Sequence, residues 1–251
     1  MMGTTTQVPR AQIRLPVVWG AGLTNRGKVR AKNEDSILTD PSGMLWAVAD
    51  GMGGYGHGDV ASDIVIDCLA TIAEDADPST SLVTHLTAAN TAVLERQKSP
   101  GMGQMGSTAV AVIISHAIAH VAWVGDSRAY LMRGGRMRPL TRDHSVVQDM
   151  VDRGELAPDK AENHPESHII TRAIGGGPDL EVDIISQPLM VADRLLLCSD
   201  GLTRCVDEQT IAAILQQAAT PQDACLALTR EALDNGAPDN VSTICLILRE
   251  E

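Results

Sequence analysis

Apolar positions along the chain follow two rhythms. Short runs that alternate or are continuously apolar, bounded by glycine, aspartate or proline, predict strands at Val17–Leu23, Ser36–Thr39 and Leu45–Asp50. A second group, Ser107–Ile114, Ile118–Gly125, Arg128–Arg133 and Met137–Leu140, fills the middle, with Gly134-Gly135 as a hairpin turn. Leu180–Gln187, Arg194–Cys198 and Val241–Leu248 complete the strands. Helical spacing appears at Gly58–Ile72, where Val60, Ile64 and Leu69 share a face, and at Ser81–Lys98, started by Asp77-Pro78-Ser79 and stopped by Ser99-Pro100-Gly101. Further helices are predicted at Asp143–Arg153, Thr210–Ala218 and Pro221–Asn235. The longest apolar stretch, Thr108 to Gly125, carries His116 and His120 and many β-branched residues, so it reads as two strands with a turn at Ser115–Ala117 and not as a membrane span.

Strands come in runs and helices in pairs, which favours an α+β fold with antiparallel sheets over a doubly wound one. About ten strands exceed what one open twisted sheet comfortably holds. The expectation is therefore a four-layer helix–sheet–sheet–helix sandwich with two stacked antiparallel β-sheets. Residues 1–16 read as a flexible lead, 17–251 as a single domain, and Gly154–His168, polar and with two prolines, as an irregular flap.

Composition narrows the function. Of 251 residues, Asp and Glu number 32 against 20 Lys and Arg, a net charge of -12 that disfavours nucleic acid and anionic membranes as partners. Three Trp, two Tyr and no Phe leave few platforms for stacking bases or sugars. The five cysteines lack CxxC spacing and mostly sit in apolar runs, which fits free thiols in a reducing compartment. The N-terminus has no signal-peptide core, so the chain is expected in the cytoplasm.

The chemical signal is a series of acidic residues at strand ends: Glu34-Asp35, Asp50-Gly51, Asp126, Asp200-Gly201 and Asp239-Asn240. Taken singly, each is a turn or a solvated loop pair. Their repetition, without His/Cys clusters, points to oxygen ligands for Mg²⁺ or Mn²⁺. Arg30, four residues before Glu34, could clamp a phosphate beside such a centre, or be an ordinary surface arginine. The glycine-rich Asp50–Ser62 lacks the GK[ST] ending of a P-loop, which disfavours nucleotide binding by that device.

Eight segments in order carry a family resemblance: GKVRAKNED (27–35), VADGMGG (48–54), GSTAVAVII (106–114), WVGDSRAYL (123–131), LTRDHS (140–145), ITRAIG (170–175), LLLCSDGL (195–202) and PDNVSTICL (238–246). The chain resembles the metal-dependent protein phosphatases, the type 2C serine/threonine phosphatases, and especially their compact bacterial members. The resemblance implies a β-sandwich flanked by helices and hydrolysis of phosphoserine and phosphothreonine with two Mn²⁺ or Mg²⁺ ions. By motif, Asp50 would bridge the ions, with the Gly51 carbonyl on the second and Asp200 and Asp239 on the first. Glu34 would act through a water held by a metal, and Asp35 would stand behind the ligands. Arg30 would hold the substrate phosphate, and Asp126 with Asp200 would bind a weaker third ion. Residues from about Val146 to Ser167 would form a flap that influences substrate choice.

Where some members carry a histidine after the Asp-Gly pair, this chain has Met52, so no protein general acid is assigned. Tyr55 replaces another frequent histidine. His57 reads as a solvated loop residue and His144 as a packing or capping one. Two further readings stand beside active hydrolysis. One is a pseudophosphatase that binds a phosphorylated partner without turnover, against which Asp50, Asp200, Asp239 and Arg30 argue. The other is a partner-switching phosphatase, which would usually carry a sensor domain for which this length leaves no room. The expected partners are phosphorylated proteins and a cognate Ser/Thr kinase system, with type VI secretion as an analogy, and the expected state is a monomer.

Overall fold

A computed structural model describes residues 16–40, 42–53, 57–161 and 164–250. The lead up to residue 15 and Tyr55 lie outside the described residues. Among the described residues, eleven strands form two antiparallel sheets. The first contains β1 (Val17–Asn25), β7 (Arg128–Arg133), β8 (Arg136–Pro139), β10 (Arg194–Cys198) and β11 (Val241–Arg249), in the order β1-β11-β10-β7-β8. The second contains β2 (Asp35–Thr39), β3 (Leu45–Gly53), β5 (Ala109–Ser115), β6 (Ile118–Val124) and β9 (Asp183–Pro188), in that order, with the short β4 (Met105–Ser107) paired to the end of β3.

Alternation along each strand assigns its faces. In β3, Trp46 and Val48 point between the sheets, where they meet Val110, Val121, Leu131, Leu197 and Leu246. Their neighbours Leu45, Ala47 and Ala49 face outward onto α1 (Gly58–Leu69) and α2 (Pro78–Gln97), whose Val65, Leu69, Leu82 and Leu86 are fully buried. On the other outer face, Tyr130, Leu196 and Cys245 pack against α4 (Asp200–Thr203), α5 (Glu208–Gln217) and α6 (Pro221–Asp234). With almost no aromatic residues available, small and branched side chains fill three thin cores. Each fully buried Leu or Ile contributes about 1.5–3 kcal/mol of transfer free energy. The expected four layers are present.

Differences from the sequence reading have local causes. The predicted strand Ser107–Ile114 is split at Thr108 into β4 and β5, because Thr108 turns its N–H to the Asp50 carbonyl at 2.9 Å. The helix predicted from Asp143 starts only at Val146 as α3 (Val146–Asp152), because Ser145 caps it by accepting from the Gln148 N–H. Asp143 instead takes a two-pronged ion pair from Arg128, at 2.7–3.1 Å. The α2 helix begins three residues early, at Pro78, with the Asp77 carboxylate accepting from Thr80 N–H. The first helix ends at Leu69, short of Ile72. β9 begins at Asp183, not Leu180. Within the span expected to be irregular, Gly154–His168, the described residues include a 3₁₀ turn at Pro158–Lys160. His116 and Ala117 both adopt positive φ, which makes the tight turn expected between β5 and β6. Among the described residues, no helix is long and apolar enough to cross a membrane.

Candidate active site

The acidic residues meet at one rim of the two sheets. Asp35 and Asp50 are register partners at the β2–β3 end. At Asp50, β3 leaves β5 and takes up β4, and this change of partner is pinned from three sides. The Asp50 carbonyl accepts from Thr108 N–H at 2.9 Å and Ser107 Oγ at 3.1 Å, while the Asp50 N–H reaches Thr108 Oγ1 at 3.3 Å. The next residue must be glycine. A side chain at Gly51 would run into the backbone carbonyls of both Gly58 and Glu34. That close approach lets the Gly51 N–H donate to the Glu34 carbonyl at 3.1 Å, and the Glu34 carboxylate accept from the Gly58 N–H at the start of α1 at 3.1 Å.

The opposite wall comes from the first sheet. β10 ends at Cys198, Ser199 follows it, and Asp200 opens α4. A side chain at Gly201 would meet the Asn240 carbonyl, so the Asp200 turn lies directly on the Asp239–Asn240 turn that leads into β11. Asp126 follows the β6 end through Gly125, whose positive φ a side chain would strain. Arg30, in the loop between β1 and β2, places Nη2 2.6 Å from Asp239 Oδ2. All of these except Asp35 line one cavity of about 420 Å³, together with Met52, Thr108, Asn240 and Arg204. The structure thus brings together Arg30, Glu34, Asp50, Gly51, Asp126, Asp200 and Asp239, with Asp35 buried directly behind them.

Electrostatics mark the cluster as unfinished. Burial, then repulsion from Asp35, Asp200, Asp126 and Asp239, pushes the Asp50 carboxyl well above the usual range. Burial likewise raises Asp35 to about 7, against the opposing hydrogen bonds from Ser242 Oγ at 2.6 Å and Ser199 Oγ at 2.8 Å. Asp126 is raised to about 7 by burial and by Asp200. Asp200 is raised by burial, opposed by Arg204. One oxygen each of Asp35 and Asp200 is buried without a hydrogen-bond partner. Acidic groups this crowded and this poorly solvated call for a cation.

The donors are hard oxygens suited to Mg²⁺ or Mn²⁺, which keep several waters and need only one or two carboxylates each. Among the described residues, no three His, Cys, Asp or Glu side chains already form a closed ligand set. Two of the carboxylates are turned onto guanidinium groups, Asp239 onto Arg30 and Asp200 onto Arg204 at 2.6 Å. The residues therefore fit an open, water-completed divalent centre and not a dedicated cage.

Several supporting residues carried no role in the sequence reading. Asn240 accepts from Glu34 N–H at 2.8 Å and donates to the Arg26 and Lys32 carbonyls at 2.8 and 2.9 Å, closing the loop that carries Arg30. Ser62 holds the Glu34 carbonyl at 2.6 Å. Ser199 and Ser242 cradle Asp35, and Ser107 and Thr108 cradle Asp50. For all of these but Ser62, the sequence signal was their place inside the matched segments. His144 is buried, as a packing residue should be. Its Nδ1 accepts from the Gly125 N–H at 3.0 Å and its ring stacks on Trp123. Burial, then Arg172, lowers its pKa against the opposing pull of Asp183. His57 stands partly exposed at the start of α1 and makes no side-chain capping bond.

The family model of "Protein phosphatase 2C" matches residues 24–150. The serine/threonine protein phosphatase PstP of Mycobacterium tuberculosis is 38% identical over 229 residues, covering 89% of this chain and 44% of that protein. The chain thus spans less than half the length of that relative. The crystal structure of the PstP catalytic domain in complex with two manganese ions superposes with a TM-score of 0.86 at 34% identity, over 94% of this chain and 100% of that one. PppA, described as a key regulatory component of T6SS in Pseudomonas aeruginosa, superposes with a TM-score of 0.85 at 33% identity, over 93% and 99%.

Proposed function

The chain belongs to the protein phosphatase 2C family, and on that premise we propose that it hydrolyses phosphoserine and phosphothreonine on proteins with two divalent ions. The observation that carries this reading is the convergence of Asp50, Asp126, Asp200 and Asp239 with Arg30 in one cavity. When bound, Mn²⁺ or Mg²⁺ ions lower the pKa of water and neutralise charge on phosphate oxygens. Asp50, Asp200 and Asp239 are the side chains that would hold them, with the Gly51 carbonyl beside Asp50, and Glu34 would hold a water at the rim.

The chain's own part in the reaction is positioning and charge. Arg30 shares its guanidinium with Asp239 and is half exposed, so it can turn to a phosphate and grip two oxygens in parallel. That contact stabilises charge as a water oxygen bonds to phosphorus and the P–O bond to the seryl or threonyl oxygen breaks. Met52 lines the cavity and carries no proton to give, so it is not a general acid for the leaving oxygen. Asp35, held by Ser199 and Ser242, places a buried carboxyl group behind the carboxylates that face the cavity.

The substrates would be proteins phosphorylated by a bacterial Ser/Thr kinase. The likeness to PppA supports a type VI secretion setting. Five free cysteines, three of them buried, support a reducing cytoplasm. We place the chain there as a monomer, with residues 146–167 as a flap beside the site. Nothing in the cavity favours phosphoprotein capture without turnover. The test is phosphate release from a phosphothreonine peptide with Mn²⁺ and with EDTA. Release that requires the ion is expected, and equal release in EDTA would defeat the reading.

A further inference from the structure

Arg204 follows the short α4 helix, and its guanidinium enters the acidic cluster. Nη2 lies 2.6 Å from Asp200 Oδ2 and 3.9 Å from Asp126 Oδ2. The group forms the shared wall between the 420 Å³ site cavity and a second cavity of about 380 Å³, reached through Asp126, Asp143, Gln148 and His168. Asp126 and Asp200 would otherwise be two crowded carboxylates, with Arg30 acting on Asp200 from beyond Asp239. Arg204 is the nearest positive charge that offsets both, while Asp200 keeps a buried oxygen unpartnered on its other side.

We infer that Arg204 is a resident cation for the Asp126–Asp200 pair and occupies the place of a third divalent ion, so that the chain loads two ions and takes a third only when the guanidinium is displaced. A divalent ion cannot share the pair with a guanidinium at this distance without strong repulsion. The arginine gives charge relief permanently and without a dependence on free metal concentration. Its side chain is 39% exposed, so displacement by concentrated metal is sterically open.

The inference rests on the metal-dependent reading above, and its test separates the two. Manganese binding to the full chain is followed by calorimetry, and free Mn²⁺ by electron paramagnetic resonance, with no substrate present. The wild type is expected to bind two ions. Arg204→Ala is expected to bind a third, tightened by about tenfold, equivalent to ~1.4 kcal/mol. The added Asp126→Asn removes that third ion again. Arg204→Lys, which keeps a positive charge on a flexible stem, holds the count at two. A wild type that binds three ions with the affinities of Arg204→Ala overturns the inference and leaves the two-ion reading intact. A variant still limited to two ions overturns it as well. A wild type that binds no ion overturns both.

Discussion

Asn240→Ala removes the clasp of the loop that carries Arg30 and Glu34. Three hydrogen bonds of 2.8–2.9 Å are lost at a residue only 5% exposed, and their partners are the Glu34 N–H and the Arg26 and Lys32 carbonyls. At about 1 kcal/mol net for each bond, with some water reaching the partners left behind, the loss should be about 2–4 kcal/mol. For a chain of this size each kcal/mol moves Tm by about 2–4 °C, so a fall of roughly 5–15 °C is expected. Asn240→Asp is the informative control. It keeps the acceptor for Glu34 but turns the one nitrogen that makes both donations into an oxygen facing two carbonyl oxygens, so it should not rescue. Urea unfolding in EDTA isolates this effect from metal binding, and KM for a phosphopeptide reports the displacement of Arg30. A midpoint for Asn240→Ala within about 0.5 kcal/mol of wild type, or a fully stable Asn240→Asp, would refute the reasoning.

Three further outcomes are expected. Gly51→Ala must push the Gly58 and Glu34 backbones apart, so it should cost more than the ~1–3 kcal/mol of ordinary overpacking and weaken Mn²⁺ binding, read by calorimetry; unchanged binding would show that the close approach is dispensable. Asp35 and Asp126 are raised to about 7, so without metal they favour the folded state fully below pH ~4 and lose that contribution as pH rises through ~7. Mn²⁺ reverses the balance by favouring the ionised forms, so the gain in Tm on adding Mn²⁺ should be larger at pH 7.5 than at 5.5, and a pH-independent gain would count against a carboxylate site. Arg30→Ala should raise KM for phosphopeptides by about tenfold with little change in fold stability, because the Arg30–Asp239 pair is half exposed; an unchanged KM would remove Arg30 from phosphate binding.

The layer order was legible because alternation in strands such as β3 is a direct image of burial, whereas in α1 the buried face is shifted by one residue, to Ala61 and Val65 beside Leu69, and the expected Val60 and Ile64 are only partly buried. The boundaries that failed lie where side chains, not periodicity, decide. Thr108 breaks a continuous apolar run by bonding the Asp50 carbonyl, and Ser145 sets the start of α3 where Asp143 is taken by Arg128. The acidic residues were visible as repeated strand-end aspartates, and their convergence follows from strands of both sheets ending at one rim. The supporting contacts were not visible. Asn240 reaches residues 206, 208 and 214 positions away, and no local pattern encodes such a closure. Arg204 lies outside the matched segments, and a single arginine after an apolar turn carries no signal of two carboxylates folded beside it.

The central claim is that the clustered carboxylates hold the ions that drive phosphoester hydrolysis. Phosphate release from a phosphothreonine peptide, compared between wild type and Asp239→Asn across a range of Mn²⁺ concentrations, tests it most directly, with circular dichroism showing that both are folded. The expected result is Mn²⁺-dependent release by the wild type and none by the variant, even at saturating ion. Release by Asp239→Asn with the wild-type dependence on Mn²⁺ would contradict the account.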